Sequence, residues 1–170
     1  MAYTTRIRWV WLSLAVVAAD RATKAVIEIF TPEGYRRSVI SNLIYIVHAR
    51  NPGIAFGIFS DSPSKWLTLS LILGSIAVVG VLSWMLIAGQ AGAKLSQAGL
   101  ALILGGATGN LTDRLLHGAV TDFFEVILGS YHWPAFNIAD SAITIGAIFV
   151  ALDLLIGTRQ VAGEPGSKEI

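Results

Sequence analysis

Residues 66–88 read WLTLSLILGSIAVVGVLSWMLIA, running from Trp66 to Ala88 without one ionisable side chain. A hydrocarbon core of about 30 Å needs roughly 20 predominantly apolar residues in helical form, because no water is present there to satisfy backbone N–H and C=O groups. The stretch meets that requirement and predicts a membrane-spanning helix. Working outward, Leu95 to Thr112 is also uncharged, and Trp133 to Gly157 is apolar apart from Asp140 and Asp153. Two further spans follow by the same rule. Upstream, Trp9 to Ala19 is apolar; Asp20, Arg21 and Lys24 then interrupt a pattern that resumes through Val26, Ile27, Ile29 and Phe30. The expectation is an all-α membrane protein of four transmembrane helices, at about residues 9–29, 66–88, 95–114 and 136–157, forming a single domain over 1–170 with a tail at 158–170.

Composition agrees. Apolar residues make up 54% of the 170-residue chain and charged residues 14%, against about 25% charged in typical soluble domains. Four spans leave no room for a separate soluble domain of useful size. A net charge of +1 points to no nucleic acid. Cysteine is absent, which excludes disulfides, thiolate nucleophiles and Cys-based metal sites together.

The N-terminus has a rival reading as a cleavable secretory signal, since Arg6 and Arg8 precede an apolar stretch ending in Val17-Ala18-Ala19, a small-residue cleavage pattern. The usual polar region before the cut is missing and apolar residues continue well past Ala19, so a retained helix is preferred. An even number of spans puts both termini on one side, and Arg6 with Arg8 assign that side to the cytoplasm. Alternating spans then bring the C-terminal ends of spans one and three to the same face as the N-terminal end of span four. Those ends carry Asp20 and Lys24; Asn110, Asp113 and Arg114; and Asn137, Asp140 and Ser141. Asp122 lies in the connection between the last two spans and shares this extracytoplasmic face. The loop from Thr31 to Lys65 is too long for a turn, and Val39 to Val47 is rich in β-branched and aromatic residues, so a small extracytoplasmic β element is expected between spans one and two. Phe123 to Leu128, ending at Gly129-Ser130, is a second candidate strand.

Ionisable groups near hydrocarbon are costly and need either a partner or a function. Asp20 and Lys24, four apart on one helical face, suit an ion pair. Asn110, Asp113 and Arg114 have the spacing of a braced helix end, whereas Asp153 has no evident partner in sequence. Asp122 and Asp140 differ, because neither has a Lys or Arg within four residues. Two carboxylates brought together cannot both ionise easily, so one keeps a proton while the other acts as base. That division suits peptide hydrolysis, although transporters also hold carboxylates near membranes. The histidines His48, His117 and His132 are scattered with no His-Glu-x-x-His, and no Gly-x-Ser-x-Gly is present, which argues against zinc and serine hydrolases. Gly105-x-x-x-Gly109 predicts close approach of another helix. Asn137, Asp140, Ser141 and Thr144 fall at i, i+3, i+4, i+7 and share one face of span four, expected to point inward. Asn137 is suited either to hold an acid or a substrate carbonyl, or to cap the helix after Pro134.

Five blocks then fall in order: Asp20-Arg21-Ala22-Thr23-Lys24, Asn51-Pro52-Gly53-Ile54-Ala55-Phe56, Gly105 through Arg114, Val120-Thr121-Asp122-Phe123, and Phe136-Asn137-Ile138-Ala139-Asp140-Ser141. Through them the chain resembles lipoprotein signal peptidase, or signal peptidase II, over nearly its whole length. The resemblance implies an aspartic endopeptidase of the bacterial plasma membrane that cuts diacylglyceryl-modified prolipoproteins just before the lipidated cysteine. It maps the catalytic pair onto Asp122 and Asp140, and substrate-binding or site-bracing roles onto Asp20, Lys24, Asn51, Gly53, Asn110, Arg114 and Asn137. It implies no metal, no cofactor and no obligate protein partner beyond substrate and membrane lipids. Arg21 stands where the family commonly has Gln. Phe56 and Phe59 are suited equally to apolar contact with the acyl-bearing end of the substrate and to ordinary interfacial anchoring. The rival is a small proton-coupled transporter or channel with the two aspartates as relay groups, which requires a polar path through the membrane; a purely structural scaffold is a third reading.

Overall fold

The computed structural model describes residues 2–53 and 65–162. Of four helices, α1 (Ala2–Phe30), α2 (Lys65–Ala88) and α3 (Lys94–His117) enclose the segments expected at 9–29, 66–88 and 95–114, and α4 (Ile138–Ala162) begins two residues after the expected 136. Four strands lie between them: β1 (Arg36–Ile40) and β2 (Ile44–Asn51) after α1, β3 (Val120–Leu128) and β4 (Tyr131–Phe136) after α3. They form one antiparallel sheet in the order β1-β2-β3-β4.

The sheet is larger than the β element expected between spans one and two. An all-α description is therefore corrected to helices plus a four-stranded sheet, half of it drawn from the connection between α3 and α4. The stretch Val39 to Val47 is two strands joined by a turn in which Asn42 has φ 57°, a left-handed conformation that asparagine tolerates. Phe123 to Leu128 falls inside β3, as read. Its partner β4 was not foreseen, because Trp133 to Phe136 belong to the apolar stretch read as the fourth span. Pro134 is accommodated because β4 is an edge strand and the register slips there, Phe124 facing Phe136 and Val126 facing Trp133. The helix α4 runs past Gly157 into the expected tail, and α1 continues unbroken through Val17-Ala18-Ala19. Phe56 and Phe59 lie outside the described residues.

α2 and α4 are long and apolar enough to cross a membrane. At 1.5 Å per residue a 24-residue helix such as α2 spans about 36 Å. Helix α3 packs against the other three. Its glycines make that possible: a Cβ at Gly105 would meet Val16 Cβ at 2.7 Å, and one at Gly109 would meet Asp20 Oδ2 at 2.6 Å. The Gly105-x-x-x-Gly109 face thus receives α1. Gly106, turned toward α4, would meet the carbonyl oxygen of Ala139 at 2.4 Å.

The burial pattern is the reverse of a soluble protein. Trp66, Leu73, Val81, Ile87, Leu154 and Leu155 are exposed, while the largest fully buried side chains are Lys24, Asn137, Thr121, Asp20 and Asp113. An apolar cluster of Leu86, Ala91, Leu100 and Ala101 occupies one end of the bundle, and the polar side chains occupy the end beside the sheet.

Candidate active site

The site begins at the N-terminus of α4. Asn137 precedes the helix and accepts the Asp140 N–H on its Oδ1 at 2.9 Å, while Asp140 Oδ2 accepts the Asn137 N–H at 3.3 Å. This reciprocal cap satisfies donors that the first turn leaves without partners. Because only Oδ1 is used, the Asn137 amide N–H group donates elsewhere, to Asp122 Oδ1 at 2.7 Å, with Asn110 Oδ1 at 3.2 Å and the Thr121 carbonyl at 3.3 Å also in reach. Capping and holding an acid, alternatives in the sequence, are both performed by this side chain. The next free donor, Ala139 N–H, is taken by Asp20 Oδ1 at 3.0 Å.

Asp122 arrives from β3. Gly118, with φ 74°, closes α3 and donates its N–H to the Arg114 carbonyl at 3.0 Å, turning the chain into the strand two residues later. Strand alternation then points Val120 and Asp122 to one face and Thr121 to the other. Asp122 Oδ2 accepts from Asn51 Nδ2 at 3.1 Å, and Asn51 Oδ1 accepts the Gly53 N–H at 3.0 Å. Asp140 Oδ1 accepts from Asn110 Nδ2 at 2.8 Å. Both aspartates line one cavity of about 470 Å³. Asn51, Asn110, Arg114 and Ser141 share its polar side; Val126, Leu128, Trp133, Phe136, Ile143 and Ile145 supply its apolar side. Burial pushes the Asp122 carboxyl up to about 7, the negative charge of Asp140 pushes the same way, and hydrogen bonds from Asn51 and Asn137 with the charge of Lys24 offset part of it.

Beneath the aspartates lies a buried ionic layer. Lys24 Nζ sits 2.7 Å from Asp20 Oδ2 and 2.8 Å from Asp113 Oδ2, and donates to Asn110 Oδ1 at 3.0 Å. All three ionic side chains are fully buried. Arg21 pairs with Asp113 as well, so two carboxylates meet two cations, the condition under which buried charge is tolerated. Arg114 donates from Nη2 to the Gly53 carbonyl at 2.9 Å, tying α3 to the chain after β2.

The structure brings together all nine residues singled out in the sequence: Asp122, Asp140, Asp20, Lys24, Asn51, Gly53, Asn110, Arg114 and Asn137. Three details differ from expectation. Arg114 does brace the end of α3, through the Asn110 carbonyl at 3.4 Å, but Asp113 and Arg114 also reach other elements, the first through Arg21, Lys24 and the Thr121 N–H, the second through Gly53. Asp153 does have a partner, Ser96 Oγ at 2.6 Å, at the far end of the bundle. Ser141 and Thr144 face the cavity, but Thr144 is exposed, and their hydroxyls donate back to the Asn137 and Asp140 carbonyls. Thr121 and Glu28 were missed. Glu28 was hidden because, besides Arg21 two turns earlier in α1, its partners Arg50 and Thr121 come from β2 and β3, far away in sequence. Among the described residues, Glu28, Asp113 and His117 bring potential metal ligands within 4.8 Å of one another. Their carboxylates already serve Arg21, Lys24 and the Thr121 hydroxyl, which marks an ion-pair network.

Comparison with known proteins bears directly on this geometry. Residues 12–156 match the family model described as signal peptidase (SPase) II. The chain is 42% identical over 158 residues to lipoprotein signal peptidase of Solibacter usitatus, covering 92% of this chain and 96% of that one. It is 36% identical to lipoprotein signal peptidase of Vibrio vulnificus, covering 88% and 89%. A solved structure described as a bacterial membrane enzyme superposes with a TM-score of 0.79 at 31% identity, covering 96% of this chain and 94% of that one. A second described likewise gives 0.74 at 28% identity, covering 87% and 92%.

Proposed function

The chain belongs to the signal peptidase II family and removes signal peptides from prolipoproteins; from that premise we propose that Asp122 and Asp140 are its catalytic aspartates. The observation that carries the proposal is the pair itself: two carboxylates from different elements on one cavity, with Asp122 held near 7 by burial and by its partner's charge. One shared proton then serves both halves of the reaction. The ionised carboxylate takes a proton from water as its oxygen attacks the scissile carbonyl carbon, and the protonated carboxyl hydrogen-bonds to the carbonyl oxygen. Collapse of the tetrahedral intermediate breaks the C–N bond, and the amine leaves with a proton returned by the dyad.

The remaining residues serve as bracing and substrate-positioning groups. Asn51, Asn110 and Asn137 donate to the aspartates, so each carboxylate is oriented before substrate arrives. Lys24 and Asp20 hold α1 to α3 and α4 beneath the pair. Arg114 borders the cavity, held there by its hydrogen bond to the Gly53 carbonyl, and offers its remaining N–H groups to a peptide carbonyl. The apolar side, from Trp133 and Phe136 to Ile145, suits the aliphatic residues of a signal peptide and the acyl chains of a diacylglyceryl-modified cysteine, with cleavage just before that cysteine.

The same reading assigns α1 and α3 as spans beside α2 and α4, with both termini cytoplasmic and the sheet and cavity at the extracytoplasmic face of the bacterial plasma membrane. Its support is the outward apolar surface together with polar groups gathered at one end. A relay for protons needs polar groups along the membrane path, and α2 provides none that ionises within 66–88. The test is incubation of purified protein with a diacylglyceryl-modified prolipoprotein beside Asp122→Asn and Asp140→Asn. Wild type is expected to release the signal peptide and both variants, stably folded, to lose at least about a thousandfold in rate. Retained cleavage by either variant removes that residue from the dyad.

A further inference from the structure

β2 and β3 present two faces. Ala49 is paired with Asp122 and Asn51 with Val120, and Asn51, Asp122 and Val120 all border the cavity. Between them Arg50 is paired with Thr121, and alternation turns both to the opposite face. There α1 supplies Glu28. Thr121 Oγ1 donates to Glu28 Oε1 at 2.6 Å, and Arg50 Nη1 lies 3.6 Å from the same oxygen.

Thr121 is fully buried and is held at three points by three helices or their caps. Its hydroxyl is bound by Glu28 of α1, its N–H by Asp113 Oδ2 of α3 at 3.2 Å, and its carbonyl by Asn137 Nδ2 before α4 at 3.3 Å. Among the described residues the Glu28–Thr121 bond is the one side-chain hydrogen bond that joins α1 to β3. The peptide that carries Asp122 is the one whose carbonyl Asn137 holds. A shift there moves the carboxylate relative to Asp140.

We propose that Glu28 and Thr121 form a positioning pair that sets the location of Asp122 from the back of the sheet, with Arg50 holding Glu28 in place. The proposal rests on Asp122 being catalytic. Neither residue touches substrate; each acts through the strand. The expected signature is a loss in kcat with little change in KM, because the cavity walls remain while the reacting geometry is displaced.

The test is kinetic, on diacylglyceryl-modified prolipoprotein, with every rate normalised to monodisperse protein of wild-type thermal stability. Thr121→Val, of the same shape without the hydroxyl, is expected to lower kcat about tenfold or more with KM within about twofold. Thr121→Ser restores the donor and is expected within about threefold of wild type. Glu28→Ala with Thr121→Val should be no slower than the slower single variant, since one interaction cannot be lost twice. Thr121→Val at full speed, or losses that multiply in the double variant, overturns the pair. Should Thr121→Val fail to fold, Glu28→Gln, which keeps an acceptor for the hydroxyl, is compared with Glu28→Met, which does not; equal kcat in the two overturns it. Asp122→Asn is run alongside. If it cleaves, the catalytic reading falls and this proposal with it, whereas an inactive Asp122→Asn beside a fully active Thr121→Val removes only the positioning pair.

Discussion

Asn137 does two jobs that are usually divided between residues. Its oxygen caps α4 and its amide nitrogen holds Asp122, so the helix that presents Asp140 and the strand that presents Asp122 are referenced to one side chain. Lys24 plays the matching role below, where its ammonium is shared by Asp20 and Asp113. The carboxyl of Asp122 makes a pH prediction possible. Its ordinary value is 3.8 and its folded value about 7, so between those limits the folded chain binds more protons than the unfolded one. Stability from this group is therefore greatest at acid pH, declines as pH rises through that window and is level above it. Thermal unfolding in detergent should show wild type losing stability toward neutral pH, and Asp122→Asn should flatten that slope. A slope equal in the two proteins would place the titration elsewhere. Cleavage should fall for the same reason above about pH 7, as the pair loses its shared proton.

Among the elements, α3 governs the geometry because its small residues face two partners at once. Gly105 and Gly109 admit α1; Gly106 admits the first turn of α4. A methyl group at Gly106 would sit 2.4 Å from the Ala139 carbonyl oxygen, and a backbone atom cannot rotate away as a side chain does. Gly106→Ala is expected to push the α4 terminus outward, at about 1–3 kcal/mol in stability, with a loss of at least about tenfold in cleavage. Gly80→Ala, in α2 with no heavy atom within 4 Å of the added methyl, should behave as wild type in both assays. Comparable losses in the two variants would show that helix flexibility, not close approach, is what Gly106 provides. The sheet depends on elements in a different way. Its edge strand β4 tolerates Pro134 through a slipped register, and β3 gains Asp122 only because β2 lies beside it to offer Asn51.

For the molecule as a whole, apolar side chains outside and charged ones within are a stable arrangement only in a low-dielectric surround. The proposed four-span topology puts the sheet outside the cytoplasm and the α2–α3 turn inside it. The chain has no cysteine, so single introduced thiols report on this directly. Ser38→Cys, exposed on β1, should react with a membrane-impermeant maleimide in intact cells carrying a permeable outer envelope. Gln90→Cys, exposed between α2 and α3, should react only after the inner membrane is opened. The opposite labelling would invert the orientation, and labelling of both in intact cells would refute four spans.

The amino-acid sequence by itself determined α2 and most of α4 as helices apolar enough to cross a bilayer, because such a run is a local property that needs no partner. It also determined that Asp122 and Asp140 are unusual, since neither has a neighbouring cation in the chain, and that Gly105 and Gly109 mark a close helix contact. Their neutralising and orienting partners are not local. Lys24 comes from α1, Asn51 from β2 and Asn110 from α3, and only packing makes them neighbours. The same holds for Glu28, whose meaning rests on Thr121, and for Asp153, which is satisfied by Ser96. The size of the sheet was a tertiary decision too, because strand pairing between β2 and β3 joins segments separated by two helices. Periodicity reports the environment one residue wants, whereas a catalytic distance is set by the elements that supply that environment.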